Sequence, residues 1–220
     1  MGNLFSVKLA CERMGLDAAI TSDPEAVHQA DAVVVPGIGA FEDAMRVLRE
    51  RGLDAAIRDV AQSGTPLLGI CLGMQLFMDE SREFGRHAGL GLIPGSVVRF
   101  ELPATDGRPA KIPQVCWNTV NRTPHVTDDV WDASLLGGLP GGLFMYFVHS
   151  YHVVLADPGM AVGTTRYGGI EFCSALRLRN VIAFQGHPER SGPQGLEIYA
   201  NLARAVRARR HEENVCRPRS

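Results

Sequence analysis

Two unbroken apolar runs constrain this chain more than any other feature. Ala32-Val33-Val34-Val35 and Pro66-Leu67-Leu68-Gly69-Ile70 are short, and neither carries a polar residue on either face. A strand with one face in water alternates apolar and polar residues. A strand without alternation is covered on both sides, the situation of a parallel sheet between helical layers. The flanking segments supply the helices. Leu4, Val7, Ala10, Cys11 and Met14 form a helical stripe that Gly15 ends, and Pro24-Glu25 opens a short helix. Phe41 to Gln62 reads as helical in at least two pieces broken near Gly52, and Leu72 to Asp79 as one more helix. Asp17 to Thr21 and Asn180 to Phe184 are further strand candidates. This order predicts an α/β protein with a flavodoxin-like open sheet, mostly parallel, with helices on both faces.

From about Leu90 to Arg177 the apolar period shifts toward two, with many Gly and Pro turns, so antiparallel strands are expected in the second half. Gln194 to Arg209 predicts a closing helix, and residues 211–220 a polar, disordered tail behind a single domain of residues 1–210. With 220 residues, 45% of them hydrophobic, the chain can bury one full core.

Charge and cysteine usage narrow the function. A formal net charge of −2 argues against nucleic acid or an anionic membrane as partner. No apolar run approaches the roughly 18 residues of a membrane span. The amino terminus lacks a signal-peptide layout, and its formal lipidation pattern, Gly2 with Ser6, falls inside the helical stripe and is taken as accidental. The five cysteines are far apart and form no C-x-x-C, so neither a disulfide framework nor a metal site is expected, and a reducing cytoplasm is the expected compartment.

The chemistry centres on Gly69-Ile70-Cys71-Leu72-Gly73. A nucleophile flanked by glycines between a buried strand and a helix has the form of a nucleophile elbow, with sulfur as the attacking atom. The glycines let the backbones of turn, strand and helix approach closely. The sulfur would stand at a helix N-terminus, which favours the thiolate, and the Leu72 N–H would be free to bind an oxyanion. Taken alone, the pentapeptide reads equally well as an inert buried cysteine. A thiolate also needs a base and the base an orienter. His187 follows a buried strand in Gln185-Gly186-His187-Pro188-Glu189, and Glu189 can reach the ring nitrogen turned away from sulfur. His149 and Tyr151 share a strand face by alternation, and a hydrogen-bonded strand histidine remains an equal reading for His149.

With those residues in place, Ile70-Cys71-Leu72-Gly73-Met74-Gln75 and His187-Pro188-Glu189 resemble the class I glutamine amidotransferases. Pro36-Gly37-Ile38-Gly39-Ala40-Phe41, Gly89-Leu90-Gly91 and Tyr146-Phe147-Val148-His149-Ser150-Tyr151 resemble, within that family, the glutaminase subunits of imidazole glycerol phosphate synthases of histidine biosynthesis. The likeness runs from about Gly2 to Leu202. It implies a Cys71, His187, Glu189 triad that hydrolyses glutamine without a cofactor and passes ammonia to a (β/α)₈ cyclase subunit in a heterodimer. That cyclase would form imidazole glycerol phosphate and aminoimidazole carboxamide ribotide. It further implies an oxyanion hole from Leu72 and the Gly37-Ile38-Gly39 loop. Substrate contacts would come from Gly73, Gln75, His149, Ser150 and Tyr151, and a partner interface from Trp117, Asn118, Tyr146 and Arg190. For Gln75 the plain alternative is a polar residue on a helix surface. A glutaminase serving another synthase, or a scaffold without catalysis, are the competing functions. The chain departs from the family pattern at Gln114, Cys116, Gly186 and Arg190.

Relatives open with an apolar strand ahead of Gly-Met-Gly-Asn-Leu, whereas here Met1-Gly2-Asn3-Leu4 comes first. The expectation is a missing first strand, with a start about eight residues upstream. Ala18 to Thr21 and Val33 to Val35 would then lack a neighbour for their backbone groups.

Overall fold

The computed structural model describes residues 2–101, 103–105 and 108–216. Among the described residues there are seven α-helices: α1 (Gly2–Arg13), α2 (Pro24–His28), α3 (Phe41–Glu50), α4 (Leu53–Ser63), α5 (Leu72–Leu76), α6 (Asp128–Asp132) and α7 (Gly192–Cys216). The first strands are β1 (Val33–Gly37), β2 (Leu67–Cys71), β3 (Met78–Ser81), β4 (His87–Ala88) and β5 (Ile93–Arg99). A small hairpin, β6 (Ala104–Thr105) and β7 (Arg108–Pro109), precedes β8 (Gln114–Arg122), β9 (Gly142–His149) and β10 (Tyr151–Leu155). The chain continues through β11 (Ala161–Tyr167), β12 (Ile170–Leu178) and β13 (Val181–Phe184), and a 3₁₀ turn at Pro188–Arg190 leads into α7.

One 11-stranded sheet runs β1-β2-β13-β12-β10-β5-β3-β4, and β11, β8 and β9 extend it from β12. The sheet is mixed. Among the described residues, parallel pairing is confined to β1 with β2, β2 with β13, and β3 with β5, while the remaining pairs are antiparallel. The parallel strands β1, β2 and β13 are where the sequence has unbroken apolar runs, and all five residues of β2 are buried. Leu68 and Ile70 pack beneath α1 and α7 with Val7, Ile198, Tyr199 and Leu202. Leu67, Val33 and Val35 face the opposite layer, with Phe41, Met45, Ile57 and Val60 of α3 and α4.

Three expectations are corrected. Asp17 to Thr21 forms no strand. β1 is the sheet edge, and among the described residues no strand lies on its outer side to give that segment a ladder partner. The helix expected over 72–79 stops at Leu76, because Met78 enters β3 beside Ile93. Leu72 to Leu76 are buried all round, so the apolar pattern could not separate helix from strand there. The closing helix runs on to Cys216 where a disordered tail was expected. No Gly or Pro interrupts 196–216, and Arg207, Arg209 and Arg210 tether the helix to Met14, Thr65 and Asp31. Residues 217–220 lie outside the described residues. No described helix is long and apolar enough to cross a membrane.

Candidate active site

Cys71 ends β2 and caps α5 with φ 55° and ψ −108°, a conformation rare for a residue with a side chain. The turn survives because its flanks have no side chains. A Cβ on Gly73 would lie 1.7 Å from the Val35 carbonyl oxygen, and one on Gly69 would lie 2.6 Å from the Phe77 ring. Helix α5 therefore rests directly on β1. Gly73→Ala should cost about 3 kcal/mol or more, because backbone, unlike a side chain, cannot swing aside. Urea unfolding measures this, and an unchanged midpoint would refute the contact.

The register of β1 on β2 places Gly37 opposite Cys71. This brings the Gly37-Ile38-Gly39 loop beside Cys71, with Gly39 at φ +100° and Ile38 61% exposed. The Leu72 amide is the first of α5, on the same side. At the far end of the loop, the Phe41 N–H donates to Glu83 Oε2 at 2.6 Å. Glu83 is a carboxylate that the sequence reading missed.

β13 lies next to β2 and carries the chain directly to His187. Its Nδ1–H donates to Glu189 Oε1 at 2.8 Å, and both side chains are buried. That bond leaves Nε2 as the nitrogen available to sulfur. Burial disfavours the charged ring, but Cys71 and Glu189 together outweigh it and raise the imidazole to about 9. The ring therefore holds a proton at neutral pH, facing the Cys71 sulfur. Because the folded value lies above the ordinary 6.5, the stability it contributes is complete below 6.5 and is lost as pH rises through about 9. That loss is on the order of 3 kcal/mol. Urea unfolding on either side of this window should show it, and His187→Ala should flatten it; an unflattened profile would assign it elsewhere.

The other expected residues divide. Gln75 is buried in α5, and its Nε2 donates to the Tyr151 carbonyl at 3.0 Å and to Gln185 Oε1 at 3.1 Å, so it is no surface residue. His149 and Tyr151 do not share one strand, because the chain breaks at Ser150 between β9 and β10. Instead the His149 ring turns back, and its Nδ1–H donates to the Tyr151 carbonyl at 2.8 Å. Burial above all pushes His149 down to about 3, so it is neutral. Gly73 supports the turn through its lack of a side chain. Ser150 accepts the Phe100 N–H at 3.0 Å.

On the outer face of the β8–β9 pair, Trp117 stands opposite Tyr146 and Val115 opposite Val148, with Phe144 beside them. Trp117, Val115 and Phe144 are each more than half exposed. The Arg190 guanidinium lies over the Tyr146 ring at 4.7 Å, so Trp117, Tyr146 and Arg190 form one patch. Asn118 is not part of it. Successive strand residues face opposite ways, and its amide donates to the Arg166 carbonyl at 2.9 Å. Gln114 and Cys116 share the face of Asn118 and are joined by a Gln114 Nε2 to Sγ contact of 3.7 Å. Gly186 is compensated from across the sheet, since a Cβ there would lie 2.5 Å from Met145 Sδ.

Comparison with known proteins agrees with this architecture. The family model of class-I glutamine amidotransferases matches residues 3–206. The imidazole glycerol phosphate synthase subunit HisH of Moorella thermoacetica is 45% identical over 207 residues, covering 94% of this chain and 92% of that one. The subunit of the same name from Rhodopirellula baltica is 45% identical over 205 residues, covering 93% and 94%. A crystal structure of a glutamine amidotransferase, 19% identical, superposes with a TM-score of 0.67 over 93% of this chain and 94% of that one, which shows a shared fold.

Proposed function

The chain belongs to the class-I glutamine amidotransferase family, and from that premise we propose that Cys71, His187 and Glu189 are its glutaminase triad. In this reading it is the glutaminase subunit of an imidazole glycerol phosphate synthase, acting in histidine biosynthesis. The observation that carries the reading is the buried His187–Glu189 bond of 2.8 Å beside a cysteine held at positive φ on a strand-to-helix turn.

The chemistry follows from the geometry. The Cys71 sulfur attacks the side-chain amide carbon of glutamine, and the carbonyl oxygen becomes an oxyanion within reach of the Leu72 N–H and an amide of the Gly37–Gly39 loop. His187 gives its proton to the departing nitrogen, the C–N bond breaks, and ammonia leaves a thioester on Cys71. His187, now neutral, takes a proton from water as that water attacks the thioester. Glutamate is released and the sulfur leaves as a thiolate. Glu189 holds the imidazole in one tautomer throughout. With its NH₂ committed, Gln75 has its amide oxygen to offer a substrate ammonium. His149, Ser150 and Tyr151 would line the same pocket through their backbone.

Ammonia would pass to a (β/α)₈ cyclase subunit docked on the Trp117, Tyr146 and Arg190 patch. A large aromatic residue more than half exposed at the centre of an apolar patch has the character of a binding hot spot. Trp117→Ala should therefore weaken cyclase binding by roughly 30-fold or more, as measured by calorimetric titration. Asn118→Ala should change that affinity little. Equal losses from both variants would move the interface off this face. The function itself is tested by mixing this chain with the cyclase and its nucleotide substrate. Glutamine must then support product formation, and absence of glutamine-dependent product would refute the reading.

A further inference from the structure

We propose that Gln185 is a catalytic residue of this site, its side-chain N–H held against the Cys71 sulfur in an orientation dictated by the Tyr151 carbonyl. The proposal rests on reading Cys71 as the nucleophile. Gln185 is the last residue before the Gly186-His187 corner, and it is fully buried. Its backbone N–H donates to the Ser174 carbonyl at 2.9 Å, which continues the ladder of β13 on β12. Its side chain turns toward β2, and Nε2 lies 3.8 Å from Cys71 Sγ, a hydrogen-bond contact to sulfur.

Which end of a glutamine amide faces a given atom has to be argued from the network around it. Here the network leaves one solution. The Tyr151 carbonyl can only accept, so Gln75 must turn its NH₂ toward it. The same NH₂ then faces Gln185, 3.1 Å away, and can only donate, so Gln185 must present Oε1 to it. That leaves the NH₂ of Gln185 for the sulfur. A backbone carbonyl on β10 thus fixes, through two buried amides, the polarity of the group facing the nucleophile. A bare thiol gains little from such a donor. A thiolate gains much more, because hydrogen bonds to charged groups are the stronger class.

The role has a signature that a packing role would not share. An N–H on the thiolate increases the anionic fraction at a given pH, and lowers intrinsic nucleophilicity by about half as much on a logarithmic scale. When the thioester is cleaved, the same N–H receives the charge returning to sulfur. Alkylation of Cys71 by iodoacetamide, followed on the Cys71 peptide by mass spectrometry across pH, reads both effects in the intact protein. His187, with Glu189 behind it, is an ionisable neighbour of the sulfur and is kept in each variant, while His149, pushed down to about 3 by burial, stays neutral across the pH range of alkylation.

For Gln185→Leu the alkylation profile should move to higher pH, leaving roughly ten-fold less reactive thiolate on its acid side, with a plateau no lower than that of the parent. Gln185→Glu, nearly identical in shape, should move it at least as far, because an oxygen then faces the sulfur. It also keeps the test open if the leucine variant does not fold. Gln75→Leu, which frees the Gln185 amide to turn, should give a smaller shift in the same direction. A uniform loss at every pH, or a profile for Gln185→Glu that matches the parent, would overturn the proposal. Failure of the nucleophile assignment would show separately, as glutamine turnover that survives Cys71→Ser.

Discussion

Cys71→Ser should remove glutamine-dependent turnover by about four to six orders of magnitude, the scale on which losing a nucleophile disables a hydrolytic triad. The substitution exchanges sulfur for a smaller oxygen at a site 7% exposed, so the fold and the surface patch around Trp117 should persist. The expected loss is chemical. A thiol is intrinsically acidic enough to be deprotonated before attack, whereas a serine hydroxyl is far less acidic and must lose its proton during attack. Synthesis driven by ammonium salt in the assembled enzyme should survive, since that chemistry would lie on the partner subunit. Glutamate release and ammonium-driven synthesis, measured on the same preparation, separate the two. Retention of most glutamine turnover in the serine variant would defeat the triad, and loss of both activities would point to a fault in folding or docking.

What the sequence could and could not reveal follows from the physics of each element. β1, β2 and β13 were legible because strands covered on both faces cannot alternate. The elbow was legible because a turn this tight demands glycines at fixed offsets, and the structure places the Val35 carbonyl where a Gly73 side chain would be. The end of α5 was not legible, since a segment buried on every side carries no periodicity. The separation of Trp117 from Asn118 could have been read from alternation alone, because neighbours on a strand cannot share a face. The Gln185 contact could not. A glutamine between an apolar strand and a histidine gives no sign of its direction until Gln75, 110 residues earlier in the chain, is known to meet it. The exchange of volume between Gly186 and Met145 is equally non-local, arising only when β9 passes beside the catalytic corner.

Alone, this chain should be a poor glutaminase, and the cyclase with its ligand should raise the rate by about 10²–10³, the value of one oxyanion donor. Two features make the site susceptible. The loop at the open end of β1, proposed to complete the oxyanion hole, has glycines on both sides of Ile38, so reorienting a peptide there meets little steric resistance. The strand that carries the proposed docking patch, β9, is also bonded to the His187 corner. The His187 N–H donates to the Tyr146 carbonyl at 2.9 Å, and the Tyr146 N–H donates to Ser191 Oγ at 3.0 Å. The Ser191 hydroxyl in turn donates to the His187 carbonyl at 2.6 Å. A partner pressing on Tyr146 and Arg190 therefore acts on the backbone that aims the imidazole, and misplacement of a reacting group by about 1 Å can cost 10²-fold. Glutamate release should be measured for this chain alone, with the cyclase, and with the cyclase and its ligand, in that order. Ser191→Ala, which cuts the link but leaves the patch intact, should reduce the stimulation while cyclase affinity holds. Equal rates with and without the partner would show that the site is complete in the single chain.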